Sequence, residues 1–189
     1  MTKRGVLIVA LTENCSRDPP LEKKMKIGRG PIAFGEEDLE GTIQPHDDAL
    51  VVTTRISSFL VKRVIVNQGS GFNVIYLNLF KRLRLKNQDL TKYDTPLVSF
   101  DGRVVILESQ ISLPVNMEGK EVMVTFIAVT LYSPYTAILE RLWIHAIGAI
   151  PSTLHVKVKS PIEQGVAVVR GSQQMARQCL VVVVSWKEK

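Results

Sequence analysis

A chain of 189 residues with 46% hydrophobic content is long enough to bury one sizeable core and too short for two full domains. Its mean hydropathy of +0.12 excludes intrinsic disorder, which needs low hydrophobicity and high charge. The net charge of +6, from 24 Lys and Arg against 18 Asp and Glu, would favour loose attraction to acidic surfaces. Its densest groups, Lys23, Lys24, Lys26, Arg29 and then Lys81, Arg82, Arg84, Lys86, have no interleaved aromatics to stack on bases, so they read as solvated faces and nucleic acid is not expected as a partner. Only Cys15 and Cys179 are present, which supports neither a disulfide scaffold nor a cysteine zinc site and fits an intracellular compartment, cytoplasmic or nuclear. The longest apolar runs, 6–11 and 180–184, are strand-sized, so no membrane association is expected. Lys3 and Arg4 ahead of the first run imitate a signal peptide, but Glu13 and Asn14 follow it without a small-x-small cleavage pattern.

Residues 1–30 combine Pro19-Pro20 with a basic stretch ending at Gly28-Arg29-Gly30 and read as a linker. A domain is expected over 31–185, with a tail at 186–189. Residues 49–56 and 59–66 are apolar and β-branched around Ser57-Ser58 and predict a hairpin. Residues 74–85 place Val74, Ile75, Leu77, Leu79, Phe80 and Leu83 among basic residues, a spacing that predicts a short helix. Strands 97–100 and 103–107 flank Asp101-Gly102, a dipeptide suited to a tight turn.

A second strand pair, 110–115 and 121–130, surrounds the turn at 116–120. Ser133-Pro134-Tyr135 then turns the chain into a strand at 136–139. A helix over 141–147 stops at Gly148. Residues 153–159 alternate Leu154, Val156 and Val158 against His155, Lys157 and Lys159, the period of a half-buried strand. Runs 166–169 and 180–184 complete a mainly β barrel or sandwich with two short helices.

The strand ending at Val66 runs directly into Asn67-Gln68-Gly69-Ser70-Gly71, a polar turn displayed at the end of an apolar strand. Periodicity alone makes it an ordinary β-to-helix connection. His46, His145 and His155 lack zinc-ligand spacing, Ser70 lacks the full nucleophile-elbow pattern, and the lysine and second glycine of a phosphate-cradling loop are missing. No metal or cofactor is therefore expected.

Matches spread in order along 31–185 carry a resemblance. They include Asp38-Leu39-Glu40-Gly41, Pro45-His46-Asp47-Asp48-Ala49-Leu50-Val51-Val52 and the stretch 61–70. Further on stand Tyr93-Asp94-Thr95-Pro96-Leu97-Val98, Ser133-Pro134-Tyr135-Thr136-Ala137-Ile138-Leu139, Trp143-Ile144-His145-Ala146, and 152–159. The chain resembles the retropepsin-like aspartic protease domain of plant gypsy-type LTR retrotransposon polyproteins. The resemblance implies a closed β barrel, a homodimer, and a peptide or polyprotein substrate.

It also implies that Asn67, Gln68, Gly69 and Ser70 form the catalytic turn, and that Ser99, Phe100, Asp101 and Gly102 lie in a substrate-covering flap. In that family the first turn residue is an aspartate, and two such carboxylates share one proton, one acting as base and the other as acid. Asn67 can transfer no proton, so catalysis is expected to be defective. Gln68 departs from the hydroxyl residue of the motif, and Ile138-Leu139-Glu140 puts an acid where a glycine is expected; Arg141 is a candidate partner for it at the surface.

Replacement aspartates fare poorly. Pro96 spoils Asp94-Thr95-Pro96, the turn chemistry of Asp101-Gly102 needs no catalysis to explain it, and Asp47-Asp48 reads as a solvated entry turn. The alternatives are a non-catalytic dimerisation or peptide-binding module and, resting on charge alone, a nucleic-acid-binding module.

Overall fold

Val51–Ile56 (β1) and Phe59–Val66 (β2) pair antiparallel, as their β-branched composition predicts. The computed structural model describes residues 31–92, 97–98, 104–105 and 109–187. Asn73–Tyr76 (β3) leads into a helix at Leu77–Arg82 (α1). The short strands Thr91–Lys92 (β4), Leu97–Val98 (β5) and Val104–Val105 (β6) precede a long hairpin of Ser109–Met117 (β7) and Lys120–Val129 (β8). Ala137–Leu139 (β9), the helix Arg141–Ile147 (α2), Ile150–Ser152 (β10), Lys157–Ile162 (β11), Gly165–Arg170 (β12) and the helix Gln173–Lys187 (α3) complete the chain.

The main sheet runs β1-β2-β9-β3-β8-β7-β4, and β1 also pairs with β7 through Arg55 opposite Asn116 and Ile56 opposite Val115. That contact closes six strands into a barrel and leaves β4 on its rim. Closure removes the free edges that would otherwise template pairing with other chains. In β7, Ile111, Leu113, Val115 and Met117 point inward at every second position. They meet Ile56, Val64, Ile75, Phe126 and Leu139 in the core, and Trp143 and Ile147 of α2 pack against the same cluster. A separate sheet, β10-β11-β12, adds Val158 and Val169 to that core, joined by Val156 from the turn before β11. Among the described residues no helix is long and apolar enough to cross a membrane.

Three segments depart from the expected elements. Residues 180–184 are part of α3, not a strand. Ser172 caps this helix by accepting from the Met175 N–H, and Ala176 and Cys179, three apart, share its buried face. The predicted helix over 74–85 begins as β3, because 73–76 are captured between β8 and β9, and only 77–82 remain helical. The alternation over 153–159 is interrupted by a turn, with the Val156 N–H bonded to the Thr153 carbonyl, and the strand begins only at Lys157. Among the described residues three α-helices therefore stand where two helices were expected, α3 among them at 15 residues.

β2 contains a bulge. Val52 pairs with Val64 and Thr54 with Val61, so Lys62 and Arg63 together oppose Thr53. Arg63 takes a left-handed φ of 61°. Val61 and Val64 both point inward while Lys62 and Arg63 are both exposed.

Candidate functional site

The turn after β2 hangs from a parallel pairing. Val66 lies opposite Leu139 of β9, and the Asn67 N–H donates to the Leu139 carbonyl at 2.9 Å. The Asn67 side-chain oxygen then accepts from the Gly69 N–H at 3.0 Å, and its carbonyl accepts from the Ser70 N–H at 3.2 Å. Asparagine suits this role because its short side chain reaches the backbone two residues on. Ser70 Oγ donates to the Phe72 carbonyl at 2.8 Å and closes the turn. Asn67, Gln68 and Gly69 are exposed and Ser70 is half-buried. These four residues, singled out in the sequence, thus form one displayed turn.

Its surroundings fix it from both sides. Arg141 donates from Nε to the Gln68 carbonyl at 3.3 Å, and Gln68 Nε2 donates to the Pro151 carbonyl at 3.3 Å. Arg141 is therefore engaged with the turn and not with Glu140. Glu140 is buried, at 1% exposure, where it precedes the first residue of α2. Asn73 accepts from the Glu140 N–H at 3.0 Å and donates to Glu140 Oε1 at 3.4 Å, and its amide also reaches the Thr125 carbonyl at 3.2 Å. Among the described residues the second carboxyl oxygen, Oε2, has no partner, and neither has the buried indole Nε1 of Trp143 three residues on. Asn73 is the residue that sequence reasoning missed. Its only signal is that an amide, with donor and acceptor on one side chain, follows the turn.

Of the region expected to form a flap, only β5 and β6 are described. β5 and β6 pair as an antiparallel ladder, Leu97 opposite Val105 and Val98 opposite Val104. Ser99, Phe100, Asp101 and Gly102 lie outside the described residues, as do Asp94, Thr95 and Pro96. Asp48 departs from expectation. Its side chain is buried and accepts from Arg177 at 2.9 Å and from Gln173 at 2.8 Å on α3, so it is an anchor and not a solvated turn residue. The Arg177 guanidinium holds this carboxyl below the usual range, against the opposing effect of burial. His46 is a satisfied histidine, accepting from the Asp48 N–H at Nδ1 and donating from Nε2 to the Leu154 carbonyl at 3.1 Å. Among the described residues no cluster of His, Cys, Asp or Glu could hold a metal ion.

A closed six-stranded barrel with a displayed turn after its second strand is the retropepsin-like fold, and comparison with solved structures supports that class. The retroviral protease-like domain of Ddi1 from Leishmania major superposes with a TM-score of 0.51 at 17% identity, covering 67% of this chain and 96% of that one. EIAV protease complexed with the inhibitor HBY-793 gives 0.44 at 17%, covering 59% and 98%. A retropepsin-like aspartic protease from Rickettsia conorii gives 0.40 at 10%, covering 63% and 80%. No protein-family model matches the sequence, and no curated protein matches it. At 17% identity the likeness to the Ddi1 domain shows the fold alone.

Proposed function

We propose that the chain is the protease domain of a gypsy-type LTR retrotransposon polyprotein, an aspartic endopeptidase by descent that no longer cuts. The observation that supports this reading is Asn67, displayed at the head of a hydrogen-bonded turn that follows the second barrel strand, the position to which the resemblance assigns the catalytic aspartate. A homodimer would bring two carboxamides to its axis and no carboxylate. Neither could take a proton from water or give one to the scissile carbonyl. Loss of the general base alone lowers the rate by roughly a hundredfold to ten-thousandfold.

The geometry favours simple repair. An aspartate at 67 would accept from the Gly69 N–H with the same atom that asparagine uses, so the turn need not move. The test is a peptide-cleavage assay at mildly acidic pH on the unmodified chain and on Asn67→Asp. The unmodified chain stays silent and the variant cleaves, with inhibition by pepstatin. Pepstatin-sensitive cleavage by the unmodified chain would overturn the loss of activity.

A second reading, a peptide-binding or dimerising module, draws on the same turn. It keeps its hydrogen bonds without a carboxylate, and the Asn67 amide N–H pair is left to donate to a bound peptide carbonyl.

A further inference from the structure

Toward the start of β2, away from Asn67, two adjacent cavities form a grooved surface. The first, of about 490 Å³, lies between the start of β2, α1 and the 131–136 segment, with Phe59, Leu60, Lys62, Arg63 and Arg82 on its walls. The second, of about 750 Å³, runs along α3 past Cys179, Val181 and Val182. Arg63 and Pro134 line both, so the two are adjacent.

The groove pairs exposed apolar surface with one sign of charge. Leu60 and Val181 are each 67% exposed, and Phe59 is 43% exposed. Among the described residues no aspartate or glutamate lines either cavity. Lys62, Arg63 and Arg82 are exposed and none is in an ion pair among the described residues. Two of these cations owe their position to the bulge, which breaks the inward–outward alternation of β2 and turns Lys62 and Arg63 outward together. A left-handed φ at arginine is strained, and such strain is often retained where it re-aims a side chain for use.

We propose that this groove docks an acidic peptide segment carrying a bulky apolar side chain, at a surface separate from the Asn67 turn. Glutamates or aspartates of the segment face Lys62, Arg63 and Arg82, and its apolar side chain covers Leu60 and Phe59 or the valines of α3. Charge complementarity selects an acidic partner. Nucleic acid fits less well, because a phosphate backbone needs cations along its whole track. Beyond the shared Arg63, the α3 half offers only Arg177, whose charge is already committed to Asp48.

The test is fluorescence anisotropy with the full chain and three labelled probes: a peptide of glutamates interrupted by one phenylalanine and one leucine, its counterpart with lysine for every glutamate, and an oligo-uridylate of equal length. The acidic peptide binds saturably and tightest. Arg63→Gly, which suits the left-handed backbone, and Arg82→Glu each weaken it about tenfold, with unchanged melting temperatures because both side chains are exposed. Replacing the phenylalanine and leucine of the probe by serine weakens it as well. The proposal is overturned by absence of saturable binding to the acidic peptide, by equal binding of the lysine peptide, by tighter binding of the oligo-uridylate, or by variants that bind as the unmodified chain does.

Discussion

Two irregular stretches of this molecule are each pinned to distant parts of the chain, and by opposite means. The turn at 67–73 is held mainly by backbone hydrogen bonds and amides, the Leu139 carbonyl, the Asn67 cap and Asn73 locked onto residue 140, with one guanidinium, that of Arg141, on the Gln68 carbonyl. Residues 33–48, which join no strand ladder among the described residues, are held by charged and polar side chains. Asp38 takes Lys157 at 3.1 Å and Lys159 at 2.6 Å, and Lys159 also reaches the Ala33 carbonyl and lies over the Phe34 ring. Asp48 takes Arg177, and Gln173 bonds both the N–H and the carbonyl of Ile43. Where strand pairing ends, ion pairs do the fastening, so the hold on residues 33–48 is open to pH and salt.

The largest expected effect lies beneath the turn. Trp143→Ala empties a buried site in the shared core and destabilises by about 3–5 kcal/mol, read from urea unfolding. Asn73→Ala comes next. It strips partners from the Glu140 N–H and carboxyl and from the Thr125 carbonyl, and should cost about 1–3 kcal/mol with no dependence on ionic strength. An effect that shrinks with added salt would blur the contrast between the two regions.

Asp38→Asn has the smallest and most conditional effect. Hydrogen bonding to Lys159, then the Gly35 N–H, holds the Asp38 carboxyl well below the ordinary value of 3.8. A depressed carboxyl contributes stability that is fully present above the unfolded pKa and is lost as pH falls toward the folded one. The melting temperature of Asp38→Asn should therefore lie below that of the unmodified chain at neutral pH, and the gap should close as pH drops below about 4. A gap that stays constant down to strong acid would show that charge is not what fastens residues 33–48.

Much of the barrel was legible in the sequence because its strands carry their own signals. Val51–Ile56, Phe59–Val66 and the β7–β8 hairpin follow composition and alternation, and Gly148 ends α2 in the left-handed conformation that a glycine stop predicts. The run of valines at 181–184 was misleading. Its β propensity is overridden by a capped helix that buries Ala176 and Cys179. At the turn, position and exposure were readable from Asn67 to Ser70. The burial of Glu140 and its lock to Asn73 were not, since the two are 67 residues apart and no local pattern links them. Asp48 was misread for the same reason, its partner Arg177 being 129 residues away.

The pairing of Val66 with Leu139 also sets an order of events during synthesis. The turn is written early in the chain, yet its first hydrogen bond is to a carbonyl 72 residues later, and the parallel ladder that supports it needs residues 137–139. As a ribosome releases the chain from its N-terminus, the β1–β2 hairpin can form from local contacts well before that segment emerges. The display of Asn67 is thus a late product of translation, completed only when β9 slides in beside a strand that has long been waiting for it.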